Sequence, residues 1–292
     1  MSIHPPLRAG ASARPRVDES LVFAVLDDLR HTLRMGWVDP SIRSVTAYPV
    51  FFSAAWAATR PNITKSFALG AERLRMSSLQ SVRTLAQRFD HDEASGEEEP
   101  LASDEDRLRR TLQSIHCAAP RVFLVIQAWA ILARRGTIPG TGLEEPPARR
   151  GIPAWQEGIA VTPRSLAPGA EALLDDATIT LRVAVTPPAL QATALWPHAL
   201  EREWRTLQET AAGSEWAHSI MSLRRVTAEV LRSLPHPMDL QWEVLERRGL
   251  TEARRQTLAD HLSALTASMP VCLLVASLLA DAYGVGEAPA DW

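Results

Sequence analysis

The 292-residue chain is poor in the residue types that build disulfide and metal sites. It has only two cysteines, Cys117 and Cys272, which cannot form a disulfide framework and do not lie in a zinc-ligand spacing. It also contains no glycine-rich phosphate loop and no haem-attachment motif. The sequence therefore implies no metal and no cofactor.

A strong excess of charge of either sign is missing as well. The net charge is −3, and of the 31 basic residues only Lys65 is a lysine. This balance gives the chain no general attraction to nucleic acid or to an anionic membrane surface. Neither is therefore an expected partner.

Long apolar runs are also absent. The longest, residues 122–132 and 269–280, are too short to span a bilayer and predict buried helices instead. Residues 1–17 are rich in proline and arginine and lack the apolar core of a signal peptide, so they predict a disordered tail. We expect a soluble, cytoplasmic protein.

The chain does contain an internal repeat. After a shift of 148 positions, ten of the 33 residues from 24 to 56 are identical to their mates without a gap. Asp28 falls on Asp176, and Trp56 falls on Trp204. Self-similarity of this kind indicates one structural unit used twice. Two copies predict a pseudo-dimer, and the seam between packed units is a favoured place for a ligand pocket.

Both units have helical sequence patterns. Residues 20–35 carry apolar side chains at helical spacing. Residues 178–185 alternate as a strand does, but their repeat mate, 30–38, has a helical pattern, so we predict no strand there. The predicted fold class is all-α, a pseudo-dimer of two homologous helical repeats with a pocket at the seam.

Two prolines predict breaks in the last helices of each unit. Pro120 separates a predicted helix over 106–116 from one over 121–135, and Pro270 separates 251–268 from 270–283. The domain boundaries that follow are a disordered tail (1–17), an N-terminal repeat (18–136), a Pro/Gly-rich connection (137–169), a C-terminal repeat (170–285) and a second tail (286–292). Residues 90–106, with nine acidic residues, predict a solvated loop.

Five short stretches carry a family resemblance: 33–38 (Leu-Arg-Met-Gly-Trp-Val), 47–49 (Ala-Tyr-Pro), 109–112 (Arg-Arg-Thr-Leu), 119–124 (Ala-Pro-Arg-Val-Phe-Leu) and 195–197 (Leu-Trp-Pro). In order and spacing they resemble the group I 2-haloacid dehalogenases, all-helical enzymes that act on both D and L substrates. The resemblance covers roughly residues 20–284. It implies a pocket between two halves, where an aspartate activates a water that displaces halide at C2 without an ester intermediate.

The chain departs from that family at the positions which carry the chemistry. Ala189 stands where the resemblance places the catalytic aspartate, and Pro188 stands where it places a serine. Ala119 replaces an asparagine and Leu265 replaces a tyrosine, while the aromatic at Trp37 persists and would form a pocket wall. An alanine methyl cannot accept a proton, so the inherited mechanism cannot run unchanged. We expect a larger, drier and less polar pocket.

Asp39 and Ser41 are one candidate replacement for the missing polar groups. They are the first-repeat mates of Pro187 and Ala189, so a two-fold seam would bring them to the same cavity from the opposite side. Asp39 could then supply the missing carboxylate. The alternative is an ordinary Asp-Pro turn, in which these residue types are common.

His116 is the other candidate base. Its side chain titrates near neutral pH, which suits proton transfer. The alternative is a histidine that stabilises the C-terminus of a helix ending before Pro120. Its neighbour Cys117 is interpreted as a small buried apolar residue, because no activating group is evident nearby.

Paired aspartates also occur in each repeat, at 27–28 and 175–176. Such pairs serve acid–base or metal chemistry in some proteins. Since both copies carry them, we expect a structural role common to the two units.

Three functions remain open from the sequence. The first is an enzyme of altered chemistry that accepts an apolar small molecule in the inherited pocket. The second is a hydrolytic 2-haloacid dehalogenase with a relocated base, acting on a small carboxylic acid. The third is a non-catalytic binding protein. A homodimer formed in addition to the internal repeat is a further expectation.

Overall fold

The computed structural model describes residues 19–86, 102–159, 161, 166 and 169–289. The predicted tail 1–17 and most of the acidic loop 90–106 lie outside these residues. The first half contains α1 (Glu19–Leu33), α2 (Pro40–Val45), α3 (Pro49–Thr59), α4 (Lys65–Ala86) and α5 (Ala102–Arg135). The second half contains α6 (Ala170–Thr180), α7 (Pro188–Thr193), α8 (Pro197–Ala211), α9 (Ser214–Arg232), α10 (Trp242–Arg247) and α11 (Glu252–Ala282).

The protein is all-α, as the sequence predicted. Among the described residues the strands are limited to β1 (Thr137–Ile138) and β2 (Met238–Asp239), which form one short antiparallel pair. Short 3₁₀ turns lie at Arg60–Asn62 and Ala154–Gln156. The strand-like stretch 178–185 contains the end of α6 followed by a turn, so it is not a strand, as predicted.

The centre of the molecule is the pair formed by α5 and α11, whose packing is the most extensive between any two described elements. Every residue of α11 from Ser268 to Ala280 is buried. Both helices are long and apolar enough to cross a membrane, but 83% and 78% of their most apolar windows are buried inside the protein. They form the core, as the apolar runs predicted.

The predicted helix breaks at Pro120 and Pro270 are wrong. Both prolines lie inside continuous helices, Pro120 in α5 and Pro270 in α11. A proline removes one main-chain donor and disfavours a helix interior. Here each helix is buried along its centre by the other, and that packing outweighs one missing hydrogen bond. The solvated loop predicted over 90–106 does not extend to 106, because α5 begins at Ala102.

The two halves share detailed local geometry. In the first half, the indole Nε1 of Trp56 donates to Asp28 Oδ2 over 2.8 Å, and in the second Trp204 donates to Asp176 Oδ2 over the same 2.8 Å. Arg34 and its mate Arg182 both have a positive φ, of 60° and 53°. Asp28 and Asp176 thus join helices within each half, which is the structural role expected for them.

Candidate active site

A small cavity lies where α2, α5, α7 and α11 meet, and we call it the seam cavity. Its volume is about 10 Å³. It is lined by Asp39, Ser41, Ile115, Ala119, Val122, Pro188, Met269 and Cys272. The structure therefore brings together four of the residues selected from the sequence, Asp39, Ser41, Ala119 and Pro188.

Much of the lining consists of positions related by the repeat. With the offset of 150 that aligns Pro120 with Pro270, Ala119 corresponds to Met269 and Val122 to Cys272. The two central helices therefore present equivalent faces to the same cavity.

Asp39 is held in place by the start of α2. It is the N-cap residue of that helix, with φ −61° and ψ 136°, and Pro40 follows at the first helical position. Its Oδ1 accepts a hydrogen bond from the backbone N–H of Ser41 over 2.7 Å. The cap fixes the carboxyl group at the cavity wall.

Burial changes the acidity of this carboxyl group. Asp39 is 4% exposed, and removal from water raises its pKa from 3.8 to about 6, although hydrogen bonds from Ser41 and Ile42 act in the opposite direction. A carboxylate with a pKa near 6 is ionised at pH 7 and basic enough to accept a proton from a bound water. Asp39 therefore has the properties of a general base.

Ser41 adds a second polar group to the cavity. Its side chain is buried, and its Oγ makes no hydrogen bond of good geometry to the described residues, although the hydroxyl is near enough to the Asp39 carboxyl group to help lower the pKa of that group. A buried hydroxyl group usually has a partner, because leaving it unpaired costs about 1–3 kcal/mol. The volume of the cavity is sufficient for about one water molecule. A water there would have both Asp39 and Ser41 in its surroundings.

Cys272 also lines the cavity and was not identified from the sequence. Burial, and then the nearby charge of Asp39, raise the pKa of its thiol far above the ordinary value. The thiol therefore stays protonated and does not act as a nucleophile. No sequence signal indicated which face of the apolar stretch 269–280 would line a cavity.

Trp37 does not line the seam cavity, contrary to its expected role as a pocket wall. Its indole N–H donates to Ser114 Oγ over 3.2 Å, and Ser114 in turn donates to Gln156 Oε1. The same Oε1 atom accepts the backbone N–H of Gly36 over 2.8 Å. Trp37 is thus tied to a buried polar network that fastens the end of the first helix to α5.

Ala189 and Leu265 are both buried but neither lines the cavity. At Ala189 the adjacent residue, Pro188, forms that part of the wall. Leu265 does not line the cavity, but Ile115 does. Ile115 is the residue of the first half that corresponds to Leu265 at the offset of 150. The two positions therefore pack in the core beside the site.

His116 is also away from the seam cavity. It is fully buried within continuous α5, so it does not lie at a helix C-terminus, and that interpretation is wrong. Both of its ring nitrogens lack a hydrogen-bond partner among the described residues. Burial, together with the charges of Arg75 and Arg83, lowers its pKa to about 3. It is neutral and weakly basic, which does not suit a base at neutral pH.

A much larger cavity, of about 420 Å³, lies beside the end of α11. Its lining arginines are paired with acidic or phenolic side chains of the same lining. Arg202 donates to Glu203 Oε1 over 2.9 Å and to the hydroxyl of Tyr283 over 3.1 Å, and Arg109 pairs with Glu105 over 2.8 Å. Size alone would select this cavity, but it offers no isolated acid or base comparable to Asp39.

The seam cavity is not the enlarged pocket expected from the substitutions. A volume of about 10 Å³ admits water but no organic substrate. Binding of a substrate would require the lining to move. Met269 is the most flexible side chain of that lining. Among the described residues no cluster of three His, Cys, Asp or Glu side chains could hold a metal ion.

Comparison with known proteins agrees with the fold and with the resemblance. No protein-family model matches the chain. A configuration-inverting 2-haloacid dehalogenase of Pseudomonas sp. (strain 113) is 26% identical over 253 residues, which cover 82% of this chain and 81% of that protein.

Solved structures of D-2-haloacid dehalogenases have the same fold. A mutant matches with a TM-score of 0.76 and 19% identity over 96% of this chain and 99% of its own. A mutant complexed with D-2-CPA matches with a TM-score of 0.74 and 19% identity over 91% and 92% of the two chains. A complex with L-LA matches with a TM-score of 0.74 and 20% identity over 94% and 98%. The chain is thus similar in sequence and in fold to 2-haloacid dehalogenases.

Proposed function

We propose that the chain is a pseudo-dimer of two repeats whose seam cavity is an active site. Three observations support this arrangement. The repeat-related bonds of Trp56 and Trp204 join helices in the same way in each half. The cavity contains repeat-related pairs from α5 and α11. The carboxyl group of Asp39 lies in its wall.

The proposed activity is hydrolytic dehalogenation of a small 2-halo carboxylic acid, with Asp39 as the relocated base. The observation that carries this proposal is the buried Asp39 carboxyl group, with a pKa raised to about 6, in the cavity that Pro188 and Ala119 line from other elements. It provides the proton acceptor that Ala189 cannot provide. Similarity to enzymes that act on 2-haloacids supports the substrate class.

In this proposal one water molecule is the nucleophile. The Asp39 carboxylate removes a proton from the water while the water oxygen attacks C2 of the substrate. The bond between C2 and the halogen breaks, and halide leaves with the bonding electrons. The products are a 2-hydroxy acid of inverted configuration, a halide ion and a proton, which Asp39 later returns to solvent.

The other lining residues have separate roles in this scheme. Ser41 Oγ lines the cavity beside Asp39 and is proposed to donate a hydrogen bond to the substrate carboxylate. Ile115, Val122 and Met269 offer an apolar surface to the halogen. An apolar, water-poor cavity also strengthens the interaction of Asp39 with the attacking water.

Halide release from the two enantiomers of 2-chloropropionate tests the proposal. We expect the wild type to release chloride at pH 8 and Asp39→Asn to lose about 10²–10⁴-fold of that rate. Asp27→Asn is the matched control, because Asp27 lies on an exposed face of α1. No chloride from either enantiomer, or equal rates in Asp39→Asn and wild type, would refute it.

A second candidate is an enzyme of altered chemistry with an apolar substrate. The supporting observation is the lining, in which every residue other than Asp39 and Ser41 is apolar. Ala119→Leu would fill the cavity and should abolish turnover of any substrate bound there while the protein stays folded. A ligand that co-purifies unchanged, without product after long incubation, would instead indicate a binding protein.

The remaining parts of the proposal concern partners and location. We propose a cytoplasmic protein that works without a cofactor on a small carboxylic acid. The homodimer stays a prediction, which the sedimentation of purified protein would test.

A further inference from the structure

The short helix α2 is less buried than the other elements around the seam cavity. Three of its six residues are buried, whereas five of the six residues of its repeat mate α7 are buried. The two remaining elements, α5 and α11, form the core of the molecule. Since a volume of about 10 Å³ admits no organic substrate, part of the lining has to move, and α2 can move at the lowest cost in buried contacts.

Movement of α2 opens the cavity directly. The helix carries two of the lining residues, Asp39 at its N-cap and Ser41 in its first turn. Its outer face meets solvent at Arg43, which is exposed. The contacts that keep α2 in place therefore control both access to the cavity and the position of the proposed base.

A side-chain hydrogen bond joins α2 to the core helix α11. Ser44 Oγ lies 2.8 Å from His261 Nε2, and the same Oγ donates to the carbonyl oxygen of Ser41 over 2.8 Å. Because the hydroxyl proton is engaged by that carbonyl, Nε2 of His261 carries a hydrogen and donates it to Ser44 Oγ. We call this bond the α2 latch. It leaves Ser44 without an activating base, so Ser44 is not a nucleophile.

The ring of His261 also contacts the start of α3. Its centroid lies 6.2 Å from the ring centroid of Tyr48, the N-cap residue of α3, with 32° between the two planes. His261 is partly buried, and burial lowers its pKa, so the ring is neutral at pH 8. One side chain of α11 thus holds the corner at which α2 passes into α3.

The second repeat has no equivalent of the α2 latch among its described residues. Ala192 is the mate of Ser44 at the offset of 148, and its methyl group forms no hydrogen bond. Thr111 is the mate of His261 at the offset of 150, and its Oγ1 donates to the Arg107 carbonyl within α5 over 2.9 Å. Burial holds α7 in place, whereas the less buried α2 is held by a polar contact.

The α2 latch lies outside the seam cavity. Neither Ser44 nor His261 lines the cavity. On α11, His261 precedes the lining residue Met269 by about two helical turns, which is about 12 Å along the helix axis. The latch can therefore break without the removal of any group from the site itself.

We propose that His261 is a positioning residue of the seam site, which holds α2 closed over the cavity through Ser44, and that substrate enters when this hydrogen bond breaks. Its role in turnover rests on the proposed function. With the latch formed, Asp39 and Ser41 lie against α5 and α11, and the cavity has room for water alone. With the latch broken, α2 moves outward and a 2-halo acid reaches Asp39.

Hydrogen–deuterium exchange of α2 tests the latch without any substrate. The reporter is the amide N–H of Arg43, which donates to the Asp39 carbonyl over 2.9 Å. We expect His261→Leu to speed its exchange by about 3- to 10-fold, because one hydrogen bond that holds α2 is lost. Ser44→Ala should have the same effect although it leaves the ring contact with Tyr48. The double variant should add little, because both changes remove the same bond.

His218→Leu is the matched control, and His261→Gln is the rescue variant. His218 is exposed on α9, and its Nδ1 lies 3.1 Å from the Ser214 carbonyl oxygen of its own helix. The glutamine amide can donate to Ser44 Oγ, so His261→Gln should keep most of the protection. Unchanged exchange in His261→Leu, an equal increase in His218→Leu, or an increase along the whole of α11 would overturn the proposal.

Steady-state kinetics with 2-chloropropionate test the role in turnover. An enzyme that admits substrate only in its open state has an apparent affinity reduced by the fraction that is open. His261→Leu should therefore lower KM by about 3- to 10-fold, and it should also lower kcat, because Asp39 is no longer fixed against the substrate. An unchanged or raised KM would overturn the role in substrate entry. Absence of chloride release by the wild type would refute the proposed function instead, and the exchange measurement would still decide whether the latch exists.

Discussion

The Oδ1 atom of Asp39 accepts a 2.7 Å hydrogen bond from the backbone N–H of Ser41. This bond holds a carboxyl group in a cavity whose lining, apart from Asp39 and Ser41, is apolar. The same bond caps α2, so one residue both starts a helix and supplies a base. Because its pKa is raised, the carboxylate destabilises the fold that positions it.

Asp39→Asn should therefore stabilise the protein while it removes activity. The amide oxygen can still accept the Ser41 N–H, and the buried charge is lost. The pKa is about 6 in the folded state against 3.8 for the ordinary group, so ionisation costs on the order of 2–3 kcal/mol above pH 6. We expect a higher unfolding midpoint at pH 8, with a gain that shrinks as the pH falls toward 4.

Circular dichroism melts of wild type, Asp39→Asn and the control Asp27→Asn across pH 4.5–8 measure this effect. The control should show no gain that increases with pH. A lower midpoint for Asp39→Asn than for wild type at pH 8 would contradict the prediction that the buried charge of Asp39 destabilises the fold.

Isotope labelling distinguishes a base from a nucleophile. In a single turnover in H₂¹⁸O with enzyme in excess, direct attack by water places ¹⁸O in the 2-hydroxy acid. The peptide that contains Asp39 should keep its mass, as measured by mass spectrometry after digestion. Label in that peptide would instead indicate an ester intermediate on Asp39.

His116→Leu should stabilise the protein, most strongly in mild acid. The imidazole is buried with both nitrogens unpartnered among the described residues, and leucine removes that cost of about 1–3 kcal/mol. Because burial lowers its pKa to about 3, folding must keep the ring neutral, and stability falls as the pH drops below the ordinary value of 6.5.

Urea unfolding of His116→Leu at pH 7 and pH 5 measures the gain, which should be larger at pH 5. His31→Leu, on a half-exposed side chain, is the control. A loss of halide release in His116→Leu at unchanged stability would contradict the absence of a chemical role.

The two repeat-related tryptophans should differ in their contribution to stability. Trp56→Phe leaves Asp28 with Arg60, at 2.9 Å, and Arg150 as partners. Trp204→Phe leaves Asp176 only longer contacts, at 3.4 and 3.5 Å, among the bonds of the described residues. We expect Trp204→Phe to cost about 1–3 kcal/mol and Trp56→Phe less.

Denaturant titrations of both single variants and the double variant test this difference. The sites lie in different halves, so the two costs should add. A larger cost for Trp56→Phe would contradict the assignment of compensating partners to Asp28.

The sequence predicted the fold class well, and its errors have physical causes. Periodicity identified the helices, and the repeat predicted equivalent roles for Trp56 and Trp204. The breaks at Pro120 and Pro270 were wrong, because local propensity does not include the mutual burial of α5 and α11. Packing between segments far apart in sequence decided the outcome.

Residues of the candidate site could be predicted only where their repeat mates were already site candidates. The expected two-fold relation of the repeats led to the prediction that Asp39 and Ser41 lie near Pro188, and the three residues line one small cavity. Met269 and Cys272 were missed, because an entirely apolar stretch gives no signal of which face meets a cavity. Trp37 does not line this cavity, and its hydrogen bond to Ser114 could not be predicted, because it depends on side chains that only the fold brings together.

The pH dependence of halide release from 2-chloropropionate is the most direct test of the central claim, that Asp39 is the base. We expect kcat/KM of the wild type to rise with pH, with one ionisation near pH 6, and then to stay level. In Asp39→Asn the residual rate should lack that ionisation. An unchanged profile in Asp39→Asn, or a wild-type rate that is flat through pH 6, would contradict the account.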